Sequence, residues 1–545
     1  MRYPAIAILC CFTLAAVPSR LRAQDNERDN EEAHHHHAAD SSELGTVNFP
    51  SSCQPASQKT FDRGLALMHS FQYTESEKAF QEAAASDARC AMARWGEAMA
   101  LYNQLWDKPD AKTVKEGRKD LKQARKIKPR TARETDFIDA ALKFFDTNRK
   151  LDHDARTRRY SDAMAGLYAK YPDDPEAATL YALSLLTWDP PNDKDETNRR
   201  KAIAVLNKVV AAGPNHPGAV HYLIHAADRP DLAPLALDAA RRYAKIAPGS
   251  SHAIHMPSHI FSRLGLWQES IDSNLPAAKA AEREINAHLA EPHYEFHPMD
   301  FLQYAYLQSG REKDAWHIVE EVDTVPGTTE SQRDGHKAYF SARYYLETHD
   351  WARAASMTVA PSLSAEQRLD VFWAQAIGSA RSGDATAARK ALDNYKKDDD
   401  GASTYRPAVH AMPGMAPEFS VERSESEAWT LYAEGKKDDA LKMLRAAAEK
   451  EDADPPEVGL PAREMLADML LDMNRNADAL AEYQATLKGT PNRFDSLYGA
   501  AHAAELSGKP QEAADYYAQL LKVCNGGVDS TRPEIARAKT LLATK

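Results

Sequence analysis

The sequence predicts an all-α chain built as a solenoid of stacked helical hairpins. Three observations carry this. From residue 56 onward apolar residues recur at helical spacing with almost no β-type alternation. Blocks of residues repeat at a shift of 34: Ala513 and Tyr517 stand where Ala479 and Tyr483 stand one unit earlier. Glycine recurs where the first helix of a unit should end, in "LGLW", "SGRE", "EGKK" and "SGKP". At 545 residues the chain is too long for one compact core. No single hairpin can bury its apolar face alone, so the units must stack.

The elements follow in order. Residues 1–23 read as a signal peptide, with Arg2 at the positive end, an apolar run from Ala5 to Val17 and a small-residue cleavage site at Leu21-Arg22-Ala23. The run is too short to span a bilayer as a helix, and no later stretch is long and apolar enough to do so. Localisation is therefore expected to be exported, periplasmic or secreted. Removing the segment takes away three arginines and no acid, moving the net charge from −12 to −15. An acidic surface argues against nucleic acid and anionic membranes as partners. Residues 24–55 form an acidic, His-rich segment and lead-in, disordered over 24–45 and carrying His34 to His37. Cys53 precedes the first helix and Cys90 follows the second. The two points lie side by side in a hairpin, and a disulfide there would stabilise by roughly 3–4 kcal/mol. Cys524 has no evident partner. A larger array occupies 56–400, a Pro/Gly-rich linker 401–418, and a smaller array with a capping helix near 532–543 occupies 419–545. About ten hairpins result, some irregular. Residues 187–196 insert a polar loop, and the second helix after Trp267 is too long.

The units resemble the tetratricopeptide repeat, a 34-residue helix-turn-helix. The resemblance rests on Gly64, Leu67, Tyr73, Phe80 and Ala83 in the first unit, on Phe261, Gly265 and Trp267 in a central one, and on Leu302, Tyr306, Gly310 and Ala315 in the next. It implies a right-handed solenoid covering about 56–545, with a concave groove lined by positions 2, 5, 9, 12 and 13 of each first helix. The chain is also similar to exported bacterial repeat proteins that share strings close to "HYLIHA" and "HMPSHIF".

Against that frame the histidines stand out. His221 and His225 fall at positions 5 and 9 of one repeat; His252, His255 and His259 at 2, 5 and 9 of the next; His297, Asp300 and Tyr304 at 2, 5 and 9 of the third. Residues three or four apart share a helix face, so three adjacent helices turn imidazoles toward one side. Transition metals take three or four such ligands. The expected metal ligands are His221, His225, His255, His259, His297 and Asp300, holding a divalent transition metal: zinc, copper or iron. The alternative is structural histidine packing. Pro257 and Pro298 argue that His252, His255 and His297 lie on entering loops or caps. His252 and Tyr304, with Arg229 and Arg263 at position 13, are expected to bind a ligand, the arginines clamping a carboxylate. That ligand would be a protein, a peptide or a small anion; ordinary salt bridging is the competing reading. His69 sits too many units away to join without strong superhelical curvature. The chain has no nucleotide-binding glycine loop, no Gly-x-Ser-x-Gly elbow and no Cys-x-x-Cys pair. The leading function is an exported binding or scaffold protein with a His-rich groove site. The rival is a metal-dependent enzyme, hydrolytic or oxidative, using the same cluster, with Tyr304, Asp228 and Arg263 as acid/base candidates.

Overall fold

A computed structural model describes residues 43–543 apart from 106–107, 129, 189–194, 402–419 and 454. The expected signal peptide, His34 to His37, the core of the polar loop and the expected linker lie outside the described residues. Among the described residues every regular element is helical. Residues 39–545 form one compact unit, and no helix is long and apolar enough to cross a membrane.

Successive helices pack as antiparallel pairs. Pro55–His69 lies on Tyr73–Ser86, Ala462–Asp472 on Asn476–Gly489, and Phe494–Leu506 on Pro510–Val523. The pairs stack because small residues let large ones in. A side chain at Gly64 would meet the Phe80 ring, and one at Gly499 the Tyr483 ring. The four glycines read as helix ends, Gly265, Gly310, Gly435 and Gly508, all have positive φ. Trp267–Asn286 has 20 residues where the second helices Tyr73–Ser86 and Asn476–Gly489 have 14. Pro533–Ala543 closes the array. Cys53 and Cys90 are disulfide-bonded, with Cα atoms 4.4 Å apart, and Cys524 is a buried free thiol.

Two expectations are corrected. Glu43 to Gly45 is packed rather than disordered: Leu44 is buried and the Glu43 carbonyl accepts from Gly249 N–H at 3.0 Å. The superhelix also curves far more tightly than a simple stack. Pro55–His69, in the first hairpin, packs on Pro217–Ala226, while the C-terminal array docks on the central repeats. Trp267 Nε1 donates to the Asn492 carbonyl (2.8 Å) and Asn492 Nδ2 to the Gly265 carbonyl (3.1 Å). A side chain at Gly265, φ +64°, would sit 2.1 Å from the Pro491 carbonyl oxygen, so the contact needs glycine twice over. Both arrays thus converge on the histidine-bearing repeats.

Candidate metal centre

The helix Pro217–Ala226 starts with Pro217 at its first position and His216 as its cap. It carries His221 and His225 one turn apart. Ser250 caps the helical turn Ser251–His255, and Met256 keeps helical dihedrals (φ −50°, ψ −35°) into Pro257–Arg263. The expected break at Pro257 is therefore slight, and His252, His255 and His259 stay on consecutive turns. Likewise His293–Gln308 runs through Pro298, so His297 is helical rather than a cap.

These helices bring six imidazoles together as two sets of three. His221, His225 and His252 form one; His255, His259 and His297 form the other. Within each set the ligand atoms lie within 4.8 Å of one another. All are buried except His297, which is half-buried. Each set takes a His-x-x-x-His pair from one repeat and a single histidine from the next. His221 to His255, and His225 to His259, are each one 34-residue repeat apart, so the second set is the first translated along the solenoid. His252 to His297 is 45 residues, the excess lying in the segment that holds the long helix.

A phenylalanine ring packs on each set. Phe71 lies 4.4, 5.4 and 5.6 Å from the rings of His221, His225 and His252. Phe301 lies 4.9, 4.8 and 5.3 Å from those of His255, His259 and His297. Phe71 is buried with φ +57°, a strained conformation for a bulky residue that must be held by its surroundings.

Tautomers follow from the outer partners. His221 Nδ1 lies 2.6 Å from the His69 carbonyl, which only accepts; His221 Nδ1 therefore carries the proton and Nε2 is bare. His225 Nε2 (2.9 Å) and His252 Nε2 (3.1 Å) both approach that one lone pair. In the second set His255 Nδ1 lies 2.6 Å from Asn274 Oδ1. The Asn274 amide nitrogen is turned away, donating to the Ser270 carbonyl. His259 Nδ1 faces Glu457 Oε2 at 2.6 Å and Asp228 Oδ2 at 3.2 Å. Both outer nitrogens donate, so His255 Nε2 is bare, and it meets His259 Nε2 at 2.9 Å; His259 Nε2 carries a proton when that ring is charged and is bare when it is neutral. Two lone pairs at that distance repel unless a cation lies between them, a proton or a metal ion.

Electrostatics divide the sets. Burial lowers His221 to about 3 and holds His225, His252 and His255 well below the ordinary imidazole range, neighbouring imidazoles adding to the effect. Burial pulls His259 the same way, but the Glu457 and Asp228 carboxylates together outweigh it and raise it to about 10. Burial and the charge of Asp228 push Glu457 up to about 7.

The other expected site residues fall elsewhere. Asp300 joins neither set: Arg343 Nη1 holds its Oδ1 at 2.5 Å, deep in the core. A guanidinium outcompetes imidazoles for that carboxylate. His252, expected to bind ligand, stands in the first three-histidine set. Tyr304 is buried, its hydroxyl taking a bond from Arg493 Nη1 at 3.1 Å. Arg229 and Arg263 hold this chain's own loop, because the C-terminal array reaches back over the groove. Arg229 donates to the Ala453 carbonyl (2.7 Å) and pairs with Glu196 (2.9 Å). Arg263 donates to the carbonyls of Pro455 and Pro456, each at 2.9 Å, and to Asp228 Oδ1 at 2.9 Å. His69, excluded on distance, supplies the carbonyl that fixes His221. Its own ring lies in a neighbouring network: His69 Nε2 and His216 Nε2 flank Glu176 at 2.9 and 3.0 Å.

Asn274, Glu457, Phe71 and Phe301 escaped the sequence reading. Phe301 was within reach of it, one turn beyond His297 on the same helix; Glu457 carries no local signal, because it arrives from about 200 residues away.

Fold and site together define a helical-repeat solenoid with a buried polyhistidine centre. Residues 464–527 match the tetratricopeptide repeat family model, so the chain carries repeats of that type, an architecture of binding and scaffold proteins. Similar solved structures include the human IFIT1 dimer with m7Gppp-AAAA, 13% identical, covering 79% of this chain and 90% of that one at a TM-score of 0.34. The APC/C hetero-tetramer Cut9-Hcn1 is 10% identical over 90% of this chain and 89% of that one, at a TM-score of 0.31. Among curated proteins none matches the chain in sequence.

Proposed function

We propose that this chain is an exported tetratricopeptide-type repeat protein whose central repeats bind transition-metal ions through two three-histidine sets. One observation carries the reading: the Nε2 atoms of His255 and His259, each on a ring whose other nitrogen donates outward, face each other at 2.9 Å with His297 completing the set. A proton between two nitrogens needs no third ring; a metal ion does. Ligating histidines donate their other nitrogen to a carbonyl or carboxylate, as His221 and His259 do here. Nitrogens about 2.0–2.1 Å from an ion sit roughly 3.3 Å apart, close to the spacings observed. Zinc, copper and iron all accept imidazole. The disulfide supports an oxidising compartment.

The test is metal content of the full chain with His34 to His37 replaced by alanine. Stoichiometric metal that His255→Ala reduces supports the reading; none under metal-replete conditions rejects it. A second reading, a scaffold without metal, draws on the repeat match at 464–527 and on the carbonyls of Ala453, Pro455 and Pro456, which Arg229 and Arg263 hold as they would those of a peptide partner.

A further inference from the structure

We infer that the two histidine sets form one paired copper centre that binds dioxygen between its ions. This rests on the metal reading above and adds the metal, the pairing and the ligand.

The pairing comes from the spacing of the sets. The His225 ring lies 6.3 Å from His252 of its own set and 6.2 Å from His259 of the other. His252 and His255 lie 6.2 Å apart. They belong to different sets yet share one helical turn, Ser251–His255. Equivalent positions of neighbouring repeats normally stand a helix diameter apart, about 8–10 Å. Imidazole side chains reach across that spacing, which is why rings of the two sets approach to 6.2 Å. Two ions held there would be close neighbours.

The metal comes from the donor set. All six candidate ligands are imidazoles, and no carboxylate completes either three-histidine set. Paired iron and manganese centres are built with carboxylate ligands. Here the nearest acids, Asp228 and Glu457, sit behind His259 on its outer nitrogen. Two zinc ions would bring four positive charges into a buried site; two cuprous ions bring two, a smaller desolvation cost. Imidazole suits copper well.

The ligand comes from coordination and surroundings. Three imidazoles leave each cuprous ion an open position. Phe71 and Phe301 back the two sets with apolar surface, which suits a small neutral molecule. Dioxygen entering between the ions takes one electron from each. The two Cu(I) become Cu(II), the dioxygen becomes bridging peroxide, and no proton or outside reductant is consumed. Release reverses the transfer.

The experiment uses the full chain with His34 to His37 replaced by alanine, stripped of metal and titrated with Cu(I) under argon, then exposed to dioxygen. The inference expects two copper ions per chain. It also expects an intense near-ultraviolet peroxide-to-copper band, no Cu(II) paramagnetic signal, and loss of the band when dioxygen is purged. His252→Ala should abolish the band while one copper stays bound. Two ions that oxidise to full paramagnetic intensity without the band overturn the pairing and leave the metal reading intact, as does a single ion per chain. No bound copper overturns the pairing; if zinc and iron also fail to bind, the metal reading falls with it.

Discussion

Two buried histidine clusters lie side by side in this molecule, and they solve the same problem differently. In the His69–Glu176–His216 network donors and acceptors alternate. His216 Nδ1 accepts from the Ala219 N–H, so its Nε2 donates to Glu176; His69 takes a bond from the Tyr222 hydroxyl at Nδ1 and donates to Glu176 at Nε2. Every polar atom named is satisfied and no ion is needed. A side chain at Gly218 would come within 2.3 Å of the His69 ring, so the helix yields space to complete the network. In the six-histidine centre imidazole nitrogens face one another instead, His221 Nε2 with those of His225 and His252, and His255 Nε2 with that of His259. Both clusters put three potential ligands within reach of one point; what separates them is how their protons are placed.

Acid should have the largest effect, and His69, which burial also holds below the ordinary imidazole range, should respond in the same window as the six-histidine centre. His221, His225, His252 and His255 have folded pKa values below their ordinary 6.5. The unfolded chain takes those protons first, so the stability these four contribute is full above about 6.5 and falls as pH drops below it, whereas the contribution of His259, raised to about 10, is full below about 6.5 and is lost as pH rises toward 10. Burial works to raise Glu176, but His69 and His216 outweigh it and hold it far below 4.5. Its contribution persists until pH falls below about 4.5. Denaturant midpoints across pH 7 to 4 should therefore decline from about 6.5. A flat profile down to 4.5 would remove the buried neutral histidines from the account.

Glu176→Ala comes next. It leaves the N–H groups of His69 and His216 buried without an acceptor, at about 1–3 kcal/mol each. Urea titration should give the same loss with and without a chelator. A chelator-dependent loss would make this network a metal site too. Metal loading of the six-histidine centre should stabilise by about 2.7 kcal/mol at a hundredfold excess over Kd, and chelation should reverse it. His225→Ala should remove the first set's share. An unmoved melting temperature would mean structural packing in both clusters. The smallest effect belongs to Arg229→Ala, which frees one anchor of the loop beside Ala453. We expect a stability cost near 1 kcal/mol and faster proteolysis within 452–460, with metal content unchanged. Lost metal would show that the loop helps to hold the ions.

The legible part of this molecule is what the 34-residue period carries. Helix ends at Gly265 and Gly508, aromatic positions such as Tyr483, and the alignment of His221, His225, His255 and His259 all follow from local spacing. What was not legible depends on superhelical curvature, which sums small rotations over many repeats. It brings His69 and Phe71 onto His221, and Glu457 onto His259, across separations that no periodicity encodes. Asp300 misleads for a related reason. Its helix position suits a ligand, but Arg343, from Glu330–Glu347, claims it. Pro257 misleads because a proline near a helix start needs no break when the preceding residue keeps helical dihedrals, as Met256 does.

The most direct test is anomalous diffraction from crystals of the metal-loaded chain. The account predicts one peak among the Nε2 atoms of His221, His225 and His252, a second among the rings of His255, His259 and His297, and none beside Glu176. Density at the Glu176 network, or none among the six histidines at full metal loading, would contradict it.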